Sequence, residues 1–387
     1  MLSKQKTRKV LSLLPLLFLF SCASRLPVKE GEKASSAADL PQYGYSADSY
    51  LTIVATGDNL YHMMMINEGE DGDYEKAYLE IRQLVKAADI AFINQETLLG
   101  GKDFSLSGYP LFNSPQKVGH AVSLSGFNVV NHATNHSMDK GEKAILATLD
   151  FWDTVPGVTV LGIHRSEEMR SLPVIVEKNK ITVGFLSYTY GTNSIPLPRD
   201  KPFLVSLINT EMIAKEIDAL RPLCDFLVVS MHWGEEYHHD YNESQKNLAA
   251  LLAEHGVDLV IGHHPHVIQP IEYIERPDGN NMVCYFSLGN LISAQTRIPT
   301  MLGAMAFVRV TKKSDGGISI TEAKAIPLVT HYEKGYTGFK IFPLYSYTDE
   351  LAERHFLNQQ RNALTLSYLK NLSAKIFGDR ELKDNPY

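Results

Sequence analysis

The sequence predicts an α/β layered fold, in which short buried strands alternate with amphipathic helices. Two observations support this prediction. From Tyr50 onward, short apolar runs rich in β-formers alternate with segments whose apolar residues recur at helical spacing. Polar residues also cluster where the predicted strands end, and ligands of α/β sheets bind at the carboxyl ends of strands. The body of the chain is therefore predicted to be one large domain with a site at that edge.

The predicted elements follow one another in order along the chain. The predicted strands are YLTIVAT, DIAFIN, FNVVN, ITVGFLSY, DFLVVSMHW, VDLVIG and MVCYFSLGN. The predicted helices are YEKAYLEIRQLVKAA, a segment over residues 116–125, GEKAILATLDFW, TEMIAKEIDALRPL and SQKNLAALLAEHG. A charged segment from Asp349 to Phe377 is also predicted to be helical, as a small C-terminal tail. These elements together account for the layered class.

Length and charge limit what the protein does. The chain has 387 residues, which is more than one average domain but fits a single large α/β domain with additions at its ends. The net charge is −7, whereas a nucleic-acid binder is expected to present a basic face. We therefore predict no nucleic-acid partner. The predicted divisions are a signal peptide over 1–21, a tether over 22–49, the main domain over 50–335 and a helical extension over 336–387.

The N-terminal segment has the pattern of a bacterial lipoprotein signal. Basic residues open the chain, an apolar run from Val10 to Phe20 follows, and the run is too short to remain as a membrane span. The sequence LFSCAS then places Cys22 where a lipidated cysteine would become the first residue of the mature protein. Several acyl chains would give stable anchoring, so the expected location is extracytoplasmic and lipid-anchored to the bacterial membrane. The alternative is a plain signal peptide with an incidental cysteine.

The stretch LVIGHHPHVIQ places three histidines in one turn after a predicted strand. Adjacent imidazoles repel one another when protonated, but neutral imidazole is a common metal ligand. His263, His264 and His266 therefore indicate a metal site. The alternative is a polar loop without a chemical role.

Further polar residues at strand ends extend this site. The metal ligands predicted from the sequence are two carboxylates, one amide and three imidazoles: Asp58, Glu96, Asn135, His232, His264 and His266. Mixed nitrogen and oxygen donors favour Mn, Fe or Zn over Ca or Mg, and six ligands suffice for one or two ions. Each residue has a simpler alternative. These are a turn aspartate (Asp58), a helix-start residue or a surface carboxylate (Glu96), helix caps (Asn135, His136 and Asp139) and a core histidine (His232).

Six segments resemble, in order and spacing, the signature segments of the CapA family of capsule-synthesis proteins. They are TGDNLYH, ADIAFINQETLL, GFNVVNHATNHSMDKG, VSMHWGEEY, LVIGHHPHVIQPIE and CYFSLGNLI, and the resemblance spans Tyr50 to Pro327. It implies a calcineurin-like metallophosphatase fold, a β-sandwich flanked by helices, and a connection with poly-γ-glutamate capsule formation. The partners that the resemblance implies are an anionic polymer or phosphoester substrate and other proteins of the capsule machinery, and the predicted lipid anchor adds the membrane.

The resemblance also implies a role for individual residues. It makes Asp58 the first metal-binding aspartate, Asn135 a ligand, and His136 the group that contacts the substrate or the leaving oxygen. It makes His232, His264 and His266 ligands, which leaves His263 structural or in support of a ligand.

Two departures from the family pattern weaken this implication. Leu60 stands where metallophosphatases have a histidine, and His62 comes two residues too late to replace it. Glu96 or Asn94 stands in place of a bridging aspartate. A centre with one ion or with weak metal loading is therefore an alternative.

Three functions are compatible with these residues. The first is a lipid-anchored CapA-like protein that acts in synthesis, export or anchoring of an anionic surface polymer such as poly-γ-glutamate. The second is a metal-dependent phosphoesterase or other hydrolase with another extracytoplasmic substrate. The third is a scaffold of the same fold without turnover, which the missing histidine at position 60 favours. Whether the protein is an enzyme is left open by its sequence.

Overall fold

The structure is a computed structural model that describes residues 48–69, 73–360 and 364–387. The predicted signal peptide, Cys22 and all but the last two residues of the predicted tether lie outside the described residues. In the described part of the chain, no helix is both long enough and apolar enough to span a membrane.

The described residues form strands and helices that alternate over most of the chain. The strands are β1 (Ser49–Asn59), β2 (Ile90–Asn94), β3 (Val129–Asn131), β4 (Thr159–Leu161), β5 (Val174–Lys178), β6 (Ile181–Thr189), β7 (Phe226–His232), β8 (Leu259–His263), β9 (Ile271–Glu275), β10 (Asn281–Tyr285), β11 (Asn290–Ile292), β12 (Leu302–Lys312), β13 (Ile318–Glu333) and β14 (Thr337–Pro343). The helices are α1 (Met63–Glu68), α2 (Arg82–Ala87), α3 (Gln116–Leu124), α4 (Gly141–Asp153), α5 (Glu167–Ser171), α6 (Thr210–Leu220), α7 (Glu243–Glu254), α8 (Asp349–Arg354) and α9 (Leu366–Phe377).

The strands form two sheets. The first has the order β14-β13-β12-β1-β2-β3-β4, and β11 pairs with the end of β1. The second has the order β5-β6-β7-β8-β10-β9. Strands β1 to β4 pair in parallel, as do β6, β7, β8 and β10. The carboxyl ends within each parallel set therefore meet at one edge, where α/β sheets bind ligands.

The side chains of β7 show how the layers pack. Phe226 and Val228 belong to the same apolar cluster as Ile53 and Phe92 of the first sheet, so they fill the space between the sheets. The intervening residues of β7, such as Leu227, pack instead with α6 and α7. Because successive side chains of a strand point to opposite faces, a strand with both faces covered is apolar throughout. Truncation of Leu227 to alanine would cost about 2–5 kcal/mol.

The predicted α/β class and its two-sheet, helix-flanked arrangement are confirmed by these strand orders and layers. Two element predictions were wrong in detail. The first predicted helix is a 3-10 helix (Tyr74–Tyr78) followed by α2, and the last predicted strand is divided into β10 and β11. The boundary predicted at residue 335 falls in the hairpin between β13 and β14, so the predicted helical extension begins with a strand of the first sheet. Helices α8 and α9 follow it and bury Ala352, Leu369 and Phe377 against the core.

Candidate metal centre

Glycines allow the strand ends to approach closely at the edge that carries the site. A Cβ on Gly57 would lie 1.9 Å from the carbonyl oxygen of Gly289, and one on Gly262 would lie 2.0 Å from that of Phe286. Side chains do not fit at either position. Asp58, the residue after Gly57, donates its backbone N–H to the carbonyl oxygen of Gly289 at 2.9 Å. The glycines therefore allow the ends of β1 and β8 to pack closely on the same segment, which contains Phe286 and Gly289. Asp58 and the histidine turn consequently lie close to each other.

The structure brings together the six ligands predicted from the sequence, together with His136. All seven side chains lie at the carboxyl edge and are buried. The Nε2 atoms of His232, His266 and His136 lie 3.9, 3.9 and 4.0 Å from Glu96 Oε1. His232 Nε2 also lies 2.8 Å from Asn135 Oδ1. Metal bonds of about 2.0–2.2 Å place the donor atoms of one ion about 3–4 Å apart, so these spacings fit a shared cation.

Asp58 occupies the other side of the cluster. His266 Nδ1 lies 3.0 Å from Asp58 Oδ2 and 3.1 Å from Asn290 Oδ1. Asn94 donates to Asp58 Oδ1 at 2.8 Å, and Asn131 donates to Asn94 at 2.7 Å. This chain of amides fixes the Asp58 carboxylate. One oxygen each from Asp58 and Glu96 and one ring nitrogen of His266 lie within 4.8 Å of one another, which is a spacing suited to a metal ion.

Glu96 and Asn94 were both candidates for the position of the bridging aspartate, and of the two only Glu96 has side-chain oxygens without hydrogen bonds to the described residues. Asn94 is engaged on both sides by Asp58 and Asn131, whereas neither oxygen of Glu96 has a hydrogen-bond partner among the described residues, although the side chain is buried. Burial, and next the charge of Asp58, raise the pKa of Glu96 well above its usual range. A buried carboxylate without hydrogen bonds is costly unless a cation compensates it. The residues present therefore fit a divalent cation at this position.

The imidazoles of the centre differ in charge. Burial lowers the pKa of His264 to about 3 and that of His232 well below its usual range, so both rings are neutral, as a metal ligand requires. Burial also acts to lower the pKa of His266, but Glu96 and Asp58 outweigh it and raise the pKa to about 9. In the absence of a metal ion, His266 thus carries a positive charge 3.0 Å from Asp58 Oδ2 and 3.9 Å from Glu96 Oε1.

The backbone of the histidine turn is strained. His264 has a φ of 96° and His266 a φ of 58°, which is the left-handed region that side chains rarely adopt. Conformations of this kind cost about 1–3 kcal/mol each and persist where the surrounding structure holds them. Strain concentrated at the residues that converge on one point indicates a functional site.

A profile of the bacterial capsule synthesis protein family PGA_cap matches residues 52–295, which is more than half of the chain. The protein belongs to the PGA_cap family. The PGA biosynthesis protein CapA of Bacillus subtilis (strain 168) is 25% identical over 323 residues, which are 82% of this chain and 81% of the relative. The capsule biosynthesis protein CapA of Bacillus anthracis is 29% identical over 181 residues, 45% of this chain and 42% of the relative. The resemblance to the CapA family is thereby confirmed.

The backbones of two solved structures align with that of this PGA_cap protein. The NAD nucleotidase of Haemophilus influenzae aligns with a TM-score of 0.46 and 12% identity, and the alignment covers 85% of this chain and 60% of that one. The 5'-nucleotidase precursor of Thermus thermophilus aligns with a TM-score of 0.46 and 16% identity, covering 84% and 59%. This PGA_cap protein thus spans about three fifths of the length of either nucleotidase.

Several residues of the site in this PGA_cap protein were not found from the sequence. Asp139, proposed above as a helix cap, is not the N-cap of α4; that position is Lys140. Its Oδ2 atom instead lies 2.7 Å from His136 Nδ1 and accepts from the N–H of Phe112. The spacing of three residues between His136 and Asp139 is the signal that could have indicated this pair.

The remaining predicted residues lie beside the centre. His263 stacks on Phe92 with 5.7 Å between ring centroids, and its Nδ1 lies 3.7 Å from Asp58 Oδ1. His62, considered as a late substitute for the missing histidine, accepts from the N–H of Ala294 at 3.2 Å and packs against Phe112. Tyr190, which the sequence did not indicate, is half-exposed and packs its ring on that of His264, with 4.6 Å between ring centroids.

Proposed function

We propose that this protein acts outside the cytoplasm in the synthesis, export or anchoring of an anionic surface polymer such as poly-γ-glutamate, and that its metal centre binds and activates a polar group of that polymer. The observation that carries the proposal is the convergence of three imidazole nitrogens on the Glu96 oxygen, inside a family defined by capsule synthesis. Membership in that family and the name of the Bacillus subtilis relative support the polymer. Lipid anchoring through Cys22 is part of the proposal.

The charge of the protein supports a role for the cation in binding. The chain has a net charge of −7, so its overall field opposes an anionic polymer. A divalent ion held by Asp58, Glu96, His264 and their neighbours would supply local positive charge, polarise the bound group and lower the pKa of water. Mn, Fe or Zn suits this set of nitrogen and oxygen donors.

His136 is the residue best placed to move a proton. Its Nδ1 lies 2.7 Å from Asp139 Oδ2, and Phe112 packs edge-on against the ring with 4.6 Å between ring centroids. Its Nε2 therefore points toward Glu96, at 4.0 Å, where a reacting group would lie. Held in this way, His136 would donate a proton to the leaving group or stabilise developing negative charge.

The same arrangement supports a second candidate, a metal-dependent phosphoesterase or other hydrolase with another extracytoplasmic substrate. The specific observation is the Asp139–His136 pair beside the carboxylate and imidazole donors, because proton donation beside a metal site serves phosphoester cleavage equally well. Assays on poly-γ-glutamate and on a simple phosphodiester, run in parallel, separate the two candidates.

Two substitutions test the mechanism. We expect His136→Ala to lower turnover by about 10²–10⁴ while the bound metal stays nearly unchanged, because general acid catalysis contributes about that much. His264→Ala is expected to lower both turnover and bound metal. Turnover and metal content are measured on the same preparations. If the wild-type protein binds metal and cleaves neither substrate, the catalytic part of the proposal is wrong and a scaffold without turnover is favoured.

The anchor is tested separately. Cys22→Ala is expected to release the protein from membranes or to leave its signal uncleaved, whereas a variant that fractionates and migrates like wild type would contradict lipidation at this residue.

A further inference from the structure

A carboxylate outside the predicted set faces the histidine turn. One oxygen of Glu236 and one ring nitrogen each of His264 and His266 lie within 4.8 Å of one another. Glu236 is exposed, so it lies at the solvent side of the centre, whereas Asp58 and Glu96 lie on the buried side. His264 Nδ1 is buried and has no hydrogen-bond partner among the described residues. Two imidazoles and a carboxylate at this spacing form a ligand set for a divalent ion.

The loop that carries Glu236 is held in place on both sides. The N–H of Tyr237 donates to the carbonyl of Pro265 at 2.8 Å, which ties the loop to the histidine turn. Gln269 donates to the carbonyls of His238 and Asp240 at 2.9 and 3.2 Å. Metal sites require donors fixed by their surroundings. Glu236 meets this requirement although it is exposed.

The next carboxylate in the sequence is directed elsewhere. Glu235 accepts from Asn242 at 3.4 Å and lies 3.9 Å from His238, on the side of the loop toward the start of α7. Glu236, by contrast, is directed toward the centre, because one of its oxygens lies within 4.8 Å of a ring nitrogen of His264 and one of His266. The two adjacent glutamates therefore differ in environment, which provides a matched control.

One metal ligand that the resemblance implies is missing at Leu60, and Glu236 can supply a ligand in its place. Leu60 is buried two residues after Asp58, at the position where the resemblance implies a metal-binding histidine, and its side chain offers no donor atom for a metal. We propose that Glu236 is a ligand of a divalent cation in the outer part of the centre, together with His264 and His266, and that it replaces the missing imidazole. This inference rests on the metal centre of the proposed function.

Metal binding by Glu236→Gln and Glu235→Gln tests the inference without an activity assay. Mn²⁺ alone is titrated into metal-free wild-type protein and both variants by calorimetry, and bound Mn²⁺ per chain is measured after dialysis. Glu236→Gln is expected to bind one ion fewer per chain, or to bind its weakest ion about 10–100-fold less tightly, a range typical for loss of groups that support a metal. Glu235→Gln is expected to match wild type. Thermal unfolding of the metal-free proteins shows that both variants are folded.

The outcomes separate this inference from the function on which it rests. Wild-type affinity and stoichiometry in Glu236→Gln overturn the role of Glu236 and leave the metal centre intact. Equal losses in both variants also overturn it, because the effect then comes from the charge of the loop. Wild-type protein that binds no Mn²⁺, nor Zn²⁺ in a second titration, overturns the inference and the proposed metal centre together.

Discussion

Two groups of buried histidines in this protein differ in how their ring nitrogens are bonded. In the metal centre and in His263 beside it, four ring nitrogens are buried without hydrogen-bond partners among the described residues: His232 Nδ1, His264 Nδ1 and both ring nitrogens of His263. Beneath the C-terminal helices, His331 and His355 form a second group, called here the C-terminal pair, with 5.4 Å between ring centroids.

The C-terminal pair is fully bonded. His331 contacts Tyr347 OH at 2.8 Å through Nδ1 and Glu333 at 3.5 Å through Nε2. His355 donates from Nε2 to the carbonyl of Thr330 at 3.1 Å and accepts at Nδ1 from the N–H of Leu357 at 3.1 Å. Because buried polar groups in folded proteins are almost always paired, unpaired ones call for an explanation. The comparison indicates that the C-terminal pair stabilises the fold and that the centre is arranged for a ligand.

The largest expected difference between the two groups is in metal affinity. His232→Ala removes a nitrogen that lies 3.9 Å from Glu96 Oε1, and we expect it to weaken Mn²⁺ binding by at least about 100-fold. His355→Gln is expected to leave the affinity unchanged. Calorimetric titration of both variants measures the effect. Equal affinities in the two variants would show that the contrast in bonding does not mark the site.

Stability is expected to change in opposite directions in the two groups. His355→Ala should lower the free energy of unfolding by about 2–3 kcal/mol, because it leaves Thr330 and Leu357 without their partners. Glu96→Met should raise the free energy of unfolding of metal-free protein by about 1–2 kcal/mol, because it removes a buried carboxyl group whose oxygens have no hydrogen-bond partner among the described residues. It should also abolish the stabilisation that added Mn²⁺ gives to wild type. Urea denaturation in the presence of a chelator measures the first two effects, and a destabilised Glu96→Met would contradict the second.

The smallest expected effect concerns acid stability. Burial, and next the charge of His331, lower the pKa of His355 from 6.5 to about 4. Between about pH 6.5 and 4 the unfolded chain takes up a proton at His355 that the folded protein does not. This histidine therefore contributes a loss of about 1.4 kcal/mol of stability per pH unit as the pH falls through that range. His355→Gln should reduce the slope of unfolding free energy against pH by that amount. An unchanged slope would mean that His355 is already protonated in the folded protein.

Local pattern sufficed for the parallel strands other than β4 and for most of the centre. Strands β1, β2, β7 and β8 contain apolar runs, and a polar residue of the site lies at the end of each strand or within two residues after it. The carboxyl ends of neighbouring parallel strands share one edge, so the strand ends within each sheet are neighbours. That is why Asp58, Glu96, Asn135 and the histidines could be grouped before their distances were known.

The antiparallel part of the first sheet was not predicted. Strands β12, β13 and β14 pair in succession, and much of β12 and β13 is buried on both faces. Long stretches of these strands therefore lack the alternation of apolar and polar residues that marks a half-buried strand. The helix predicted over YEKAYLEIRQLVKAA likewise divides into a 3-10 helix and α2, although its apolar spacing is continuous. Packing against the sheet overrides local preference there.

The sequence by itself determined the layered class, the edge that carries the site and the residue types available for a metal ion, because these follow from short-range periodicity and composition. Only the tertiary structure decided how those residues are used. In the structure, Asn94 is hydrogen-bonded to Asp58, whereas the oxygens of Glu96 have no hydrogen-bond partner among the described residues. Asp139 contacts His136 instead of capping a helix, and Glu236 lies against the histidine turn. Each of these depends on hydrogen bonds or contacts between side chains and loops whose relative positions are set by packing, and local sequence does not encode those positions.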